Sequence, residues 1–189
     1  LRVEPNDRSE IVSQVLFGEH FEIIEQQKMW TKIRLDFDNY EGWIDKKQYQ
    51  IISHENYDTL CKEAIILNSD LVEYISAPNN VLIPITLGAS LSFLNHNDIN
   101  NQNYEFEGLK ISGVKPKSNL VSLAFLYLNA PYLWGGKTPF GIDCSGFTQM
   151  VYKLNGYKLL RDASQQATQG EVLSFIEESE PGDLAFFDN

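Results

Sequence analysis

Cysteine is nearly absent: two in 189 residues, Cys61 and Cys144. They allow at most one bridge, which excludes a disulfide framework. Histidine is equally scarce, and His20, His54 and His96 are scattered. Neither cysteine has a ligand partner at two-to-four spacing, so no zinc site or other metal is expected and the histidines are expected at the surface or in loops. Positive charge is also short, with 15 Lys and Arg against 26 Asp and Glu and a net charge of −11. That balance argues against nucleic acid or an anionic membrane as partner, since both need a basic face to offset phosphate. No apolar run reaches the roughly 18 residues of a membrane-spanning helix. The opening "LRVEPNDRSE" has neither an initiating Met nor the basic-then-apolar pattern of a signal peptide. A processed product or fragment is therefore expected, with its first residues already inside a strand.

What is present is a hydrophobic fraction of 43%, enough for packed cores, in a length that suits one or two ordinary domains or more small barrels. Residues 1–56 read as short strands split by turns: "IVSQVLF", "HFEIIEQ", "MWTKIRLDF" and "YEGWID". In "TKIRLDF" Ile33, Leu35 and Phe37 alternate with Lys32, Arg34 and Asp36, which predicts a half-buried strand of a small antiparallel barrel. Residues 57–115 begin with a helical turn, "NYDTLCKEA", and return to strands at "LVEYISA", "NNVLIPI", "SLSFL" and "YEFEGLKI". The Asn-rich "NHNDINNQN" reads as a hairpin connection. A second barrel is the economical reading, with "YEGW" and "FEGL" a weak internal echo.

From residue 116 to 189 the texture changes. Ser118 is placed to cap a helix over "NLVSLAFLYLN", with Leu120, Leu123, Ala124 and Tyr127 or Leu128 on one face and Pro131 closing it. A Gly- and Pro-rich loop, "YLWGGKTPFGI", leads into a second helix over "SGFTQMVYKLNG". Its apolar face is Phe147, Met150, Val151 and Leu154, and Asn155-Gly156 is its stop. "ASQQATQGEVLSF" is helical in part, and "DLAFF" starts a strand.

One cysteine stands in a telling place, "GIDCSGF", at residues 141–147. If the helix begins at Cys144, unpaired backbone amides and the positive end of the helix dipole favour its thiolate, a nucleophile. Asp143 is a plausible N-cap, and Gly141 and Gly146 let a substrate backbone approach the sulfur. The same amides could stabilise an oxyanion. The bland alternative is a structural cysteine at a helix start, with glycines that serve only the turn.

The wider string "PYLWGG", "DCSGF", "RDASQQ" and "GDLAFF" resembles the NlpC/P60 family of papain-like cysteine peptidases, which cleave bacterial cell-wall peptides. With the strand-rich segments included, the chain resembles the YkfC-like γ-D-glutamyl-L-diamino acid endopeptidases. That implies an α+β architecture: two bacterial SH3-like barrels (1–56 and 57–115) followed by the N-terminal part of an NlpC/P60 domain (116–189). By this resemblance Cys144 is the nucleophile, and Tyr132 donates to the oxyanion or substrate unless it only packs the loop. Ser145 would face the α-carboxylate of the D-Glu, and Asp143 either borders the cleft or is only a cap. Asp162, with Glu19 and Tyr40 of the first barrel, would surround the free amine of an L-Ala-γ-D-Glu stem peptide. The alternatives are a solvated strand-end charge for Glu19 and a core aromatic for Tyr40. Arg161 would be scaffold.

The resemblance implies a small peptide as partner, no cofactor, and recycling of released peptides in the cytoplasm, with a periplasmic or secreted setting as the alternative. It also places the base, a His, after "GDLAFF", whereas the sequence as written stops at Asn189. These residues alone are therefore expected to be catalytically incompetent. A non-catalytic peptide-binding module and a papain-like acyltransferase are the rivals.

Overall fold

The computed structural model describes residues 1–96, 99 and 103–187. The first segment holds β1 (Phe21–Gln26), β2 (Trp30–Leu35) and β3 (Glu41–Asp45), joined as an antiparallel sheet in the order β1-β2-β3. Alternation in β2 has the expected consequence: Ile33 and Leu35 are buried and pack with Ile44, while Lys32 and Arg34 face outward to Glu41. Phe37 lies beyond the end of β2.

"IVSQVLF" differs from expectation. It makes one bridge, Ile11 to Arg2, and belongs to no strand among the described residues. Two of its polar side chains reach the third segment instead. The Ser13 hydroxyl accepts from Arg161, Gln14 accepts from the Lys137 amide, and the Leu16 amide donates to Glu19.

Helix α1 (His54–Lys62) is capped by Ser53, whose hydroxyl accepts from the Asn56 amide. The second segment continues with β4 (Ile66–Asn68), β5 (Val72–Ala77), β6 (Val81–Thr86) and β7 (Lys110–Ser112). They form two separate antiparallel ladders, β4-β7 and β5-β6, around Ile75, Ile85, Ala89, Leu91 and Phe106. "SLSFL", expected as a strand, turns into a 3-10 helix at Ser92–Asn95, where the Ser92 hydroxyl receives the Ile66 amide. Only the end of "YEFEGLKI" is strand, with Glu105 bridged to Ser76. Most of the Asn-rich connection lies outside the described residues.

In the third segment α2 (Asn119–Phe125) is shorter than its periodicity suggested, and Ser118 makes no capping bond because its backbone is already helical. Next come the two-residue strands β8 (Lys137–Thr138) and β9 (Gly141–Ile142), then α3 (Cys144–Leu154) and the single turn α4 (Ala163–Gln166). The α3 stop is as read: Asn155 caps it, and Gly156 takes φ +84°, a left-handed conformation that glycine adopts without strain. "DLAFF" forms no strand among the described residues.

The largest apolar cluster joins all three segments. Met150, Val151 and Leu154 of α3 pack with Leu120 and Leu123 of α2, Leu67 and Leu87 of the second segment and Leu16 of the first. At about 1.5–3 kcal/mol per fully buried side chain, this cluster fixes α3 against both upstream units. The overall class is α+β, as expected, with the strands in open ladders.

Candidate active site

The site is built on the first turn of α3. Asp143 is its N-cap, in extended conformation, and accepts from the Gly146 amide at 2.6 Å. Its other oxygen accepts from the Gly135 amide at 2.8 Å, which ties the "PYLWGG" loop to the helix start. Beneath lies Arg161, 1% exposed, whose guanidinium reaches both Asp143 oxygens at 3.0 and 2.7 Å. It also donates to the Ser145 and Ser13 hydroxyls. Burial pushes the Asp143 carboxyl up, but Arg161 and the two amides hold it below the ordinary carboxylate value. The buried charge is thus a fixed anchor, and the scaffold role read for Arg161 is what its contacts describe.

That anchor decides which side chains face solvent. Cys144, the first helical residue, is exposed and free, as is Cys61. Its amide and that of Ser145 have no carbonyl one turn back to receive them, so both are open to a developing negative charge. The Ser145 hydroxyl turns inward to Arg161 and Asp143, and Ser145 is only 8% exposed. Gly146 is required by space: a Cβ there would run into the Gly136 carbonyl. Tyr132 is exposed, and its backbone is bridged in parallel to Ile142, just ahead of the cysteine.

A second group lies where the first segment meets α4. Tyr40 and Asp162, far apart in sequence, are brought close enough for the carboxylate to act on the tyrosine hydroxyl. Burial, then the Asp162 carboxylate, raises the Tyr40 hydroxyl to about 12, so it stays protonated and able to donate. Asp162 is half-buried and leads into α4, whose Gln165 accepts the Asp162 amide at 3.1 Å. Gln166 then clamps α4 to α3 by donating to the Ser145 carbonyl and accepting from Thr148.

Glu19 does not stand in solvent. Its carboxylate is buried, accepts from Lys153 at 2.5 Å and from the Leu16 amide, and pairs with Lys137 at 3.4 Å. Burial opposes its charge, yet the two lysines hold it at about 2. Burial in turn lowers Lys153 against the pull of Glu19. The carboxylate is already spent on two ammonium groups of this chain, and no hydrogen bond joins it to Tyr40 or Asp162 among the described residues.

Sequence reasoning missed Asp38, which falls in the turn between "MWTKIRLDF" and "YEGWID". It is buried, accepts from Gln149 of α3 at 2.7 Å and from the Tyr40 amide at 3.0 Å, and so carries the Tyr40 turn on the helix that bears Cys144. Its proximity to Asn39, which has φ +58°, was the only local signal. The histidines face carboxylates: His20 to Asp36, His54 to Asp58 and His96 to Glu63. His20 lies in the connection before β1, one of the two places expected, although its side chain is only 13% exposed.

Residues 129–189 match the NlpC/P60 family, and residues 1–48 match the bacterial dipeptidyl-peptidase SH3 domain. The chain is 30% identical to dipeptidyl-peptidase 6 of Lysinibacillus sphaericus, over 99% of its own length and 78% of that protein. It is 28% identical to a γ-D-glutamyl-L-lysine dipeptidyl-peptidase of Bacillus subtilis, over 94% of this chain, and spans 64% of that relative's length. A crystal structure of an NlpC/P60 family protein from Bacillus cereus superposes with a TM-score of 0.70 at 21% identity, covering 90% of this chain and 63% of that one, which speaks for the fold. The chain belongs to the NlpC/P60 family and carries an N-terminal bacterial SH3 domain.

Proposed function

We propose that the protein serves as a cysteine endopeptidase that hydrolyses the bond between γ-D-Glu and the diamino acid of released stem peptides. Cys144 is the nucleophile. Its sulfur attacks the γ-carbonyl carbon, the open amides of the α3 first turn and the Tyr132 hydroxyl receive the oxyanion, and collapse expels the diamino acid amine with a proton. Water then hydrolyses the thioester. No role as proton acceptor is assigned to His20, His54 or His96, which face Asp36, Asp58 and Glu63.

The observation that carries the reading is an exposed thiol on a helix start whose cap is locked from below by Arg161. Asp162, supported by Tyr40, is the acceptor for the substrate's free ammonium, a charge-assisted contact that a blocked peptide cannot make. Glu19 acts from underneath, fixing the first segment to α3. Asp143 borders the cleft as cap and anchor, and the inward Ser145 hydroxyl needs a rotation to meet the D-Glu carboxylate. Residues 57–115 form a second SH3-like unit, and recycling of freed peptides in the cytoplasm is the setting that suits a demand for a free amine.

The test is incubation with L-Ala-γ-D-Glu-L-Lys and its diaminopimelate counterpart, following L-Ala-γ-D-Glu release by chromatography. Release lost in Cys144→Ala supports the peptidase, and release undiminished by that change refutes it. Capture without cleavage is the rival reading. It predicts calorimetric binding of the same peptides, weakened by Asp162→Asn, with no release.

A further inference from the structure

The sequence spacing gave no reason to associate His20, Asp36 and Cys61, but the fold brings them together. His20 stands just before β1 and Asp36 just after β2, and the Asp36 amide donates to the His20 carbonyl at 3.2 Å, extending the ladder by one pair. Cys61 arrives on the last turns of α1. One turn earlier, Tyr57 packs edge-on against the His20 ring with centroids 5.6 Å apart. The Cys61 thiol lies beside the Asp36 carboxylate and close to the Tyr57 hydroxyl. One donor atom from each of the three residues lies within 4.8 Å of the others, the one such group among the described residues.

The details suit a cation. His20 Nε2 is buried and has no hydrogen bond, although Asp36 Oδ2 stands 3.2 Å away. Contact without alignment leaves a nitrogen and a carboxylate oxygen facing each other, an arrangement an ion between them would satisfy. Two ligands about 2.0 Å from a tetrahedral zinc are about 3.3 Å apart, close to the spacing already present. A thiolate at about 2.3 Å would lie about 3.5 Å from each, within reach of a rotation of the exposed Cys61 side chain. Nitrogen, oxygen and sulfur donors together select a borderline ion of the zinc type over magnesium or calcium. Exposure of the sulfur leaves room for water as fourth ligand.

We propose that His20, Asp36 and Cys61 form a zinc-type metal site that pins α1 to the first sheet. It is independent of the peptidase reading, since none of its ligands is assigned to the reaction. The test uses the full chain with Cys144→Ala, so that the other thiol cannot bind, titrated with cobalt(II). The expected result is one cobalt per chain with a thiolate-to-cobalt charge-transfer band, displaced by stoichiometric zinc. Cys61→Ala, an exposed change that leaves the fold intact, should abolish the band, and His20→Ala or Asp36→Asn should weaken binding at least tenfold. His54→Ala, on the same helix but paired with Asp58, should leave it unchanged. Absence of the band, or a band that survives Cys61→Ala, overturns the proposal.

Discussion

Replacing Arg161 by Met tests the anchor beneath Cys144. The guanidinium is buried and makes two bonds to Asp143, one to Ser145 and one to Ser13. Methionine fills much of the volume but leaves the Asp143 carboxylate facing an apolar side chain, with the Gly146 and Gly135 amides and the Ser145 hydroxyl still donating. Breaking one partner of a buried pair costs about 3–5 kcal/mol. For a chain of this size, at about 2–4 °C per kcal/mol, the melting temperature should fall by about 6–20 °C. The assay is urea unfolding of the single variants Arg161→Met and Asp143→Asn and of the double variant. Because the double variant removes both charges, its loss should fall short of the sum of the singles by about 1–3 kcal/mol. A loss under about 1 kcal/mol for Arg161→Met, or strict additivity in the double variant, would refute the reasoning.

Three further outcomes follow from named contacts. Glu19 is held at about 2 against an ordinary 4.5, so its contribution to stability is fully present above about pH 4.5 and is lost as pH falls toward 2; urea midpoints between pH 5 and 2.5 should decline, and less steeply in Glu19→Gln. Gly146→Ala drives a Cβ into the Gly136 carbonyl and should cost about 1–3 kcal/mol in thermal unfolding, whereas a neutral result would mean the helix start is looser than its contacts imply. Asp162→Asn should reduce kcat/KM, or affinity, for free-amine peptides by roughly 10- to 100-fold, the worth of a hydrogen bond to a charged group, and leave N-acetylated peptides nearly unchanged; equal loss on both would reject amine recognition.

Local chemistry made much of the scaffold legible. Alternation in "TKIRLDF" identified Ile33 and Leu35 as core, and the spacing of Met150, Val151 and Leu154 identified the buried face of α3. Asp143 could be read as its cap because capping is a contact within one turn. "SLSFL" misled because a short apolar run fits a strand and a 3-10 turn equally well, and the Ser92 bond to Ile66 decided between them. Glu19 with Lys153, Asp38 with Gln149, and Ser13 with Arg161 left no trace in any window, since each pairs residues from opposite ends of the chain. The convergence of His20, Asp36 and Cys61 was hidden in the same way, because spacing rules for metal ligands see only neighbours in sequence.

The central claim is that Cys144, and not Cys61, is the sulfur presented to a peptide carbonyl. An L-Ala-γ-D-Glu peptide with a C-terminal halomethyl ketone, followed by intact mass and peptide mapping, tests it most directly. Burial and Asp36 push the Cys61 thiol up to about 11, so it should react slowly at neutral pH. The account predicts a single adduct on Cys144, formed faster by the free-amine reagent than by its acetylated form. An adduct shared equally with Cys61, or one indifferent to acetylation, would contradict it.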